Sequence, residues 1–222
     1  MISYLQIFFR RSLIQEKHEM KVNCKDNTPI IINSLPEILT GKILIIVRNN
    51  VRKEIDNLIK QILFKYNQEL NKNDIIFSRS KNGKPFIFGS EIKFNISKTE
   101  STIVIAFTDN IEIGIDIEKI SGEKIFSNQN IFFSGNEIEL IQGDKTIITF
   151  FKLWTRKEAF LKFLGTGITE NANNISLASD RNEIEIDSQS DEAYINSFMI
   201  SDEIYCSVCT SKNKSIYIMN LE

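Results

Sequence analysis

The sequence has one histidine, three prolines and three cysteines among 222 residues, and each scarcity excludes a class of protein. The histidine, His18, lies in a polar, charged N-terminal stretch, which argues against a serine–histidine–aspartate or cysteine–histidine catalytic site. Zinc sites built on two histidines are impossible. Three cysteines do not make a disulfide framework, so we expect a reducing, cytoplasmic compartment. With so few prolines and only nine glycines, the chain has no Pro-rich or Gly-rich linker.

Long hydrophobic runs are also missing, although 42% of the residues are hydrophobic. No run approaches the roughly 20 apolar residues of a membrane span. A short apolar patch near the N-terminus is followed, not preceded, by Arg10 and Arg11, which is the reverse of a secretory signal. We therefore expect no membrane partner, and we expect no nucleic-acid partner either.

The net charge of −2 conceals an uneven distribution of charge along the chain. Residues 1–110 carry 17 Lys+Arg against 11 Asp+Glu, a balance of +6, whereas residues 111–222 carry 10 against 18, a balance of −8. This division suits a phosphate-rich ligand on one side and a metal ion on the other, although chance and solvated surfaces explain it equally well. We predict an N-terminal lobe of residues 1–110 and a C-terminal lobe of residues 111–222.

The hydrophobic periodicity predicts an α+β fold. Apolar spacing is helical over 51–66 and, most strongly, over 146–164, which ends before Gly165. Alternating or apolar runs predict several strands, at 92–96, 102–107, 194–200, 203–210 and 215–219. The run at 43–47 fits either a buried strand or the start of a helix.

Acidic residues lie on one face of a predicted strand, at 111–118, and on one face of a predicted helix, at 146–164. Residues 111–118 alternate strictly, so Asp116 and Glu118 leave the same face of a strand. Glu158 and Lys162 share a stripe of the 146–164 helix with Thr155. One interpretation is a solvated sheet surface and an ordinary Glu–Lys helix pair. The other is a three-carboxylate site for a hard cation such as Mg²⁺, with Lys162 countering the remaining charge.

Six short motifs in order resemble those of the 4′-phosphopantetheinyl transferases. The two signatures are GIDIEK at 114–119 and WTRKEAFLK at 154–162, and GKP, FNIS, FFSGNE and LGTGI occupy 83–85, 94–97, 132–137 and 164–168. The likeness spans about residues 70–180 and is greatest to the longer, two-lobed type that activates peptide and polyketide synthases.

The resemblance implies a fold and a reaction. The fold is a pseudo-dimer of two similar lobes, each a small antiparallel sheet packed on a long helix, in a monomer with coenzyme A in the cleft. The reaction moves the 4′-phosphopantetheine arm of coenzyme A onto a serine of an apo acyl or peptidyl carrier protein. It needs Mg²⁺ and releases 3′,5′-ADP.

The resemblance also assigns roles to residues. Asp116, Glu118 and Glu158 match the metal-binding acids, Glu137 matches the proposed base for the serine proton, and Glu158 and Lys162 count as catalytic with it. A further set matches the stretches that contact coenzyme A: Arg48, Lys84, Pro85, Ser97, Lys98, Lys157 and Lys162.

The sequence departs from the family pattern at two places. Lys98 stands where the family commonly has histidine, and a lysine can still bind phosphate as a point charge. Ile55-Asp56 replaces a usual leucine-glycine pair in the N-terminal lobe. These departures leave open the alternative that the protein is a degenerate family member, which binds coenzyme A or carrier protein without transferring the arm. The same three acids would also suit a different metal-dependent phosphotransferase or a diphosphate hydrolase. A last alternative is an α+β domain in which these acids are only surface charges.

Overall fold

The predicted α+β class is confirmed by a computed structural model. It describes residues 28–49, 55–66, 75–121, 129–144, 146–167, 172–178, 183–186 and 191–221. In chain order the elements are β1 (Ile30–Ile31), β2 (Lys42–Asn49), α1 (Ile55–Tyr66), β3 (Phe77–Arg79), β4 (Pro85–Ile87), β5 (Ile92–Lys98), β6 (Thr102–Asp109), β7 (Ile113–Lys119), α2 (Gln129–Phe132), α3 (Gly135–Asp144), α4 (Ile147–Leu164), a 3₁₀ turn (Ala172–Asn174), β8 (Glu183–Ile186), β9 (Asp191–Ser201), β10 (Ile204–Thr210) and β11 (Ser215–Leu221).

Two sheets and a hairpin organise the strands. The first sheet has the order β1-β11-β2-β6-β5, the second has the order β7-β10-β9-β8, and β3 pairs with β4. The prediction of purely antiparallel sheets is wrong for the first sheet, because β11 runs parallel to both β1 and β2. Since β11 comes from the predicted C-terminal lobe, two similar lobes are not confirmed. The boundary near residue 110 stays a prediction.

The core is built in layers around the two sheets. The continuous run at 43–47 is a strand, β2, and not a helix start. It is apolar throughout because both of its faces are covered. Leu44 and Ile46 pack towards α1, whereas Ile43 and Ile45 pack against the isoleucines of β7. Helix α4 covers the opposite face of the second sheet, where Phe160 and Ile195 belong to one apolar cluster.

The two sheets meet where β5 lies beside β7. The N–H of Ile115 donates to Asn95 Oδ1 at 3.0 Å, and the N–H of Ile117 donates to Ser97 Oγ at 3.3 Å. Side chains of one edge strand therefore satisfy backbone donors of the other, so neither edge is left open there. This seam fixes the position of Asp116 between its two bonded neighbours.

Helix α4 has the boundaries that its flanking residues predict. Thr146 caps its start by accepting from the Thr149 N–H, and Gly165 ends it at φ 69°, a left-handed conformation that glycine adopts readily. In the described ranges no helix combines the length and the apolar character needed to cross a bilayer.

Candidate active site

A cavity of about 410 Å³ opens at the seam between the sheets, beneath helix α4. Strands β5 and β7 and helix α4 each contribute three residues to its lining. These are Ile96, Ser97, Lys98, Asp116, Ile117, Glu118, Trp154, Glu158 and Lys162. The two signature motifs and the FNIS segment thus each contribute residues to the lining of one cavity.

Asp116 is the buried centre of this cavity. Its Oδ1 atom accepts from Ser97 Oγ at 2.8 Å and from Lys162 Nζ at 2.7 Å. Its Oδ2 atom is buried without a hydrogen-bond partner among the described residues. Burial raises the pKa of Asp116, and repulsion from the Glu118 carboxylate raises it further. The positive charge of Lys162 and the hydrogen bonds from Lys162 and Ser97 lower it in part. An unsatisfied buried carboxylate oxygen is costly, and it suits a cation-binding role.

Glu158, on helix α4, lines the same cavity as the negatively charged side chains of Asp116 and Glu118. Its pKa is raised to about 7 by burial first and then by repulsion from Asp116 and Glu118, although Lys162 lowers it. A carboxylate with a pKa near neutrality exchanges a proton readily at physiological pH. Crowded carboxylates of this kind are typical of functional sites.

Gly114 allows helix α4 to lie directly on β7. A Cβ atom at this position would stand 2.1 Å from the Ala159 carbonyl oxygen and 2.3 Å from the Phe163 nitrogen. Only glycine permits so close an approach of two backbones. The approach brings Glu158 and Lys162 of the helix above Asp116 of the strand.

Thr155, predicted on the same helical stripe as Glu158, does not reach the cavity. It is fully buried and contacts Ser207 Oγ at 2.8 Å, and Ser207 in turn contacts Ser197 Oγ at 2.9 Å. This row of hydroxyls joins α4 to β10 and β9. Trp154 stacks on Phe150 at 5.8 Å and also lines the cavity.

Glu137 and Lys157 lie apart from the cavity and contact each other. Both side chains are 0% exposed, and Lys157 Nζ lies 2.7 Å from Glu137 Oε2. Lys157 also donates to the carbonyls of Ala172 and Ile175, while Glu137 accepts from the N–H groups of Ser134 and Leu177. In this arrangement neither residue is accessible to a substrate.

Lys84 is also engaged away from the cavity lining. Its ammonium donates to Glu112 Oε2 at 2.7 Å and to the Phe163 carbonyl at 3.0 Å. Its neighbour Asn82 donates to the Gly165 carbonyl at 2.9 Å. The turn before Pro85 is therefore fastened to the C-terminal end of α4. Sequence reasoning missed these contacts because the partners are distant in the chain.

Arg48 is not among the lining residues, but it shares a row of the first sheet with Lys98. Both residues pair with Ile103, from opposite sides. Side chains paired directly across antiparallel strands leave the same face, roughly 10 Å apart over two strand spacings. The two basic residues therefore lie on one face of the first sheet.

The chemistry of the lining fits a hard divalent cation, but the carboxylates are not gathered around a common point. Carboxylate oxygens are the ligands that Mg²⁺ prefers, and three carboxylate side chains line the cavity. Among the described residues, however, no three His, Cys, Asp or Glu side chains form a metal-holding group. The fit therefore rests on the unsatisfied Asp116 oxygen and on the concentration of negative charge.

Comparison with known proteins supports the resemblance of the motifs. The family model described as 4′-phosphopantetheinyl transferase superfamily matches residues 112–217, which contain β7, α4 and the carboxylates of the cavity. The 4′-phosphopantetheinyl transferase gsp of Aneurinibacillus migulanus is 37% identical over 114 residues, which is 50% of this chain and 46% of that protein. The chain thus spans about half the length of this relative.

A second relative is matched over a longer stretch. The 4′-phosphopantetheinyl transferase Sfp of Bacillus subtilis is 30% identical over 162 residues, 70% of this chain and 71% of that protein. The psf-1 transferase of Bacillus pumilus is 31% identical over 131 residues, 58% of this chain and 54% of that protein. On these matches, and on a cavity formed by its signature motifs, the chain belongs to the 4′-phosphopantetheinyl transferase superfamily.

Proposed function

We propose that this protein transfers the 4′-phosphopantetheine arm of coenzyme A to a serine of an apo acyl or peptidyl carrier protein. The serine oxygen forms a bond to the phosphorus that carries the arm, the diphosphate P–O bond breaks, and 3′,5′-ADP leaves. Relatives named 4′-phosphopantetheinyl transferase, at 30 to 37% identity, support this reaction. The observation that carries it is one cavity lined by three carboxylates and two lysines at the seam of the sheets.

Asp116, Glu118 and Glu158 would hold Mg²⁺, and bound metal would neutralise charge on the diphosphate and the leaving phosphate. Lys98 and Lys162 line the same cavity and would bind phosphate oxygens. Arg48 would extend this basic surface from the same row of the first sheet. Trp154 and Ile96 give the cavity an apolar wall for the rest of the ligand.

The serine proton needs an acceptor. Glu158 lines the cavity and has a pKa of about 7, but a cation held there would lower that pKa, so Glu158 would not act as metal ligand and base at once. Glu137, the base suggested by the resemblance, is fully buried against Lys157. Lys157 shares that burial, so the contact with coenzyme A suggested for it also lacks support.

Compartment, oligomeric state and metal identity are part of the proposal. Cys206 and Cys209 are free and buried, which supports a reducing cytoplasm. We propose that the protein acts there as a monomer with Mg²⁺ and binds neither nucleic acid nor membranes.

The experiment is intact-mass analysis of an apo carrier protein incubated with this protein, coenzyme A and Mg²⁺. We expect a gain of one phosphopantetheine arm, lost with a chelator and lost in Glu158→Ala. Glu203→Ala, which removes an exposed glutamate of the Lys119 ion pair, should retain the gain. Transfer that survives both the chelator and Glu158→Ala would contradict the proposed site.

The alternative is a family member that binds coenzyme A or carrier protein without transfer. The engagement of Lys84 by Glu112 favours it, because this removes one predicted contact to the nucleotide. Coenzyme A binding without any mass gain on several unrelated carriers would establish this alternative. Release of 3′,5′-ADP without a carrier would instead indicate a diphosphate hydrolase.

A further inference from the structure

Lys162 already occupies one side of the carboxylate that the proposed metal would need. Its Nζ atom lies 2.7 Å from Asp116 Oδ1 and 3.1 Å from Ser97 Oγ. The Ser97 hydroxyl also donates to the same Asp116 oxygen. Asp116 thus has a positive partner within its own chain.

This partner is held less firmly than Lys157, the buried lysine of α4. The Lys162 side chain is 29% exposed, and it lies one turn before the end of the helix at Gly165. Lys157, on the same helix, is 0% exposed and donates to three acceptors, so it has no freedom to move. A long, partly exposed lysine stem can shift its ammonium group by several bond rotations.

We propose that Lys162 is the resident counter-ion of Asp116, and that it competes with divalent cations for this carboxylate. The inference rests on the proposed function, in which a diphosphate binds in the same cavity. A diphosphate would attract Lys162 away from Asp116 and leave both carboxylate oxygens to the metal. Metal and coenzyme A would then strengthen each other's binding through this one side chain, because linkage is reciprocal.

Electrostatics gives the direction of the effect. Two positive charges sharing one carboxylate repel each other strongly in a partly buried site. A neighbouring opposite charge changes the proton affinity of a carboxylate by about 10- to 1000-fold. Removing Lys162 should therefore raise the affinity of the resting protein for a divalent cation.

The test is a titration with Mn²⁺ alone, at one fixed pH for all variants, in which electron paramagnetic resonance reports free Mn²⁺. We expect Lys162→Met to bind Mn²⁺ about tenfold more tightly than the unmodified protein, or tighter still. Lys162→Arg, which keeps the charge, should bind as the unmodified protein does. Lys214→Met removes a comparable lysine, 2.8 Å from Asp109 and outside the cavity lining, and should have no effect.

Two further variants make the outcomes distinct. Lys162→Gln guards against misfolding of the methionine variant and should give the same tightening. If both neutral variants leave Mn²⁺ affinity unchanged or weaken it while Asp116→Asn weakens it, the competition is wrong and the metal assignment stands. If Asp116→Asn binds Mn²⁺ as the unmodified protein does, the metal assignment is wrong and the competition fails with it.

Discussion

Helix α4 contributes the lysines of two lysine–carboxylate pairs. The two pairs have the same N···O distance, but one is enclosed in the protein interior and the other lies at the cavity. Lys157 and Glu137 are 2.7 Å apart and both 0% exposed, and Lys162 and Asp116 are also 2.7 Å apart but line a cavity. Glu137 receives backbone N–H donors on both carboxylate oxygens, whereas Asp116 Oδ2 has no partner in the described part of the chain. The first pair is fully satisfied, and the second retains capacity for a further cation.

The difference shows how environment assigns a role to identical chemical groups. A buried ion pair with complete hydrogen bonding fixes one arrangement of the chain, and here it joins α4 to α3 and to the segment after the 3₁₀ turn. In the second pair, a buried carboxylate oxygen without a hydrogen-bond partner raises the free energy of the folded protein, and a ligand bound in the cavity can lower it. Substitutions in and around the two pairs separate these roles, beginning with the largest expected effect.

Lys157→Met should lower the free energy of unfolding by about 3–5 kcal/mol, because it leaves the Glu137 carboxylate buried without its cation. Urea denaturation gives the value. Lys119→Met removes an exposed pair at 3.2 Å and should cost less than about 1 kcal/mol. The double variant Glu137→Leu/Lys157→Met should recover only part of the loss, because the N–H groups of Ser134 and Leu177 lose their acceptor. Equal costs for Lys157→Met and Lys119→Met would show that the buried pair has no special structural role.

Gly114→Ala should lower the free energy of unfolding by about 1–3 kcal/mol, because its methyl group overlaps the backbone of α4. The helix must move off β7, so the contact between Lys162 and Asp116 should weaken while the Lys157 pair is retained. Thermal unfolding measures the cost. Gly143→Ala in α3, where a methyl group would meet nothing within 4 Å, is the matched control and should not destabilise. A Gly114→Ala protein as stable as this control would contradict the close approach.

Glu158→Gln should stabilise the metal-free protein, by roughly 1–2 kcal/mol at about pH 8 after allowance for partial exposure. The folded-state pKa of about 7 exceeds the ordinary value of 4.5, so ionisation of Glu158 opposes folding. Below 4.5 the carboxyl is protonated in both states and the difference from glutamine disappears; it grows as the pH rises towards 7. Chemical denaturation at both ends of this range, in chelator, gives the comparison. A destabilised Glu158→Gln protein at the higher pH would contradict the raised pKa.

Local sequence signals predicted the elements and the cavity carboxylates. Helix α4 begins and ends within a residue of its predicted bounds because Thr146 and Gly165 supply both caps. The alternation of β7 correctly separated its isoleucines from Asp116 and Glu118, since a strand has a period of two. The spacing on α4 then placed Glu158 and Lys162 on the side that meets them.

Contacts between distant segments escaped prediction for a physical reason. Local periodicity does not encode that Lys84 meets Glu112 and Phe163, or that Lys157 meets Glu137 in the interior. A charged residue in a signature motif suggests a ligand contact, yet burial and a complementary charge can give it a structural role instead. Such outcomes depend on tertiary packing and are decided only when the elements assemble.

The position of β11 has a consequence for the order in which this protein can be made. β11 lies between β1 and β2, so the strand that completes the first sheet is the last one synthesised. Until β11 has been synthesised, β1 and β2 lack their common neighbour, and the edge of β2 that will pair with it is unprotected. Pairing across so long a sequence separation is slow, and unpaired edges promote aggregation. The first sheet is therefore completed only after translation has delivered β11.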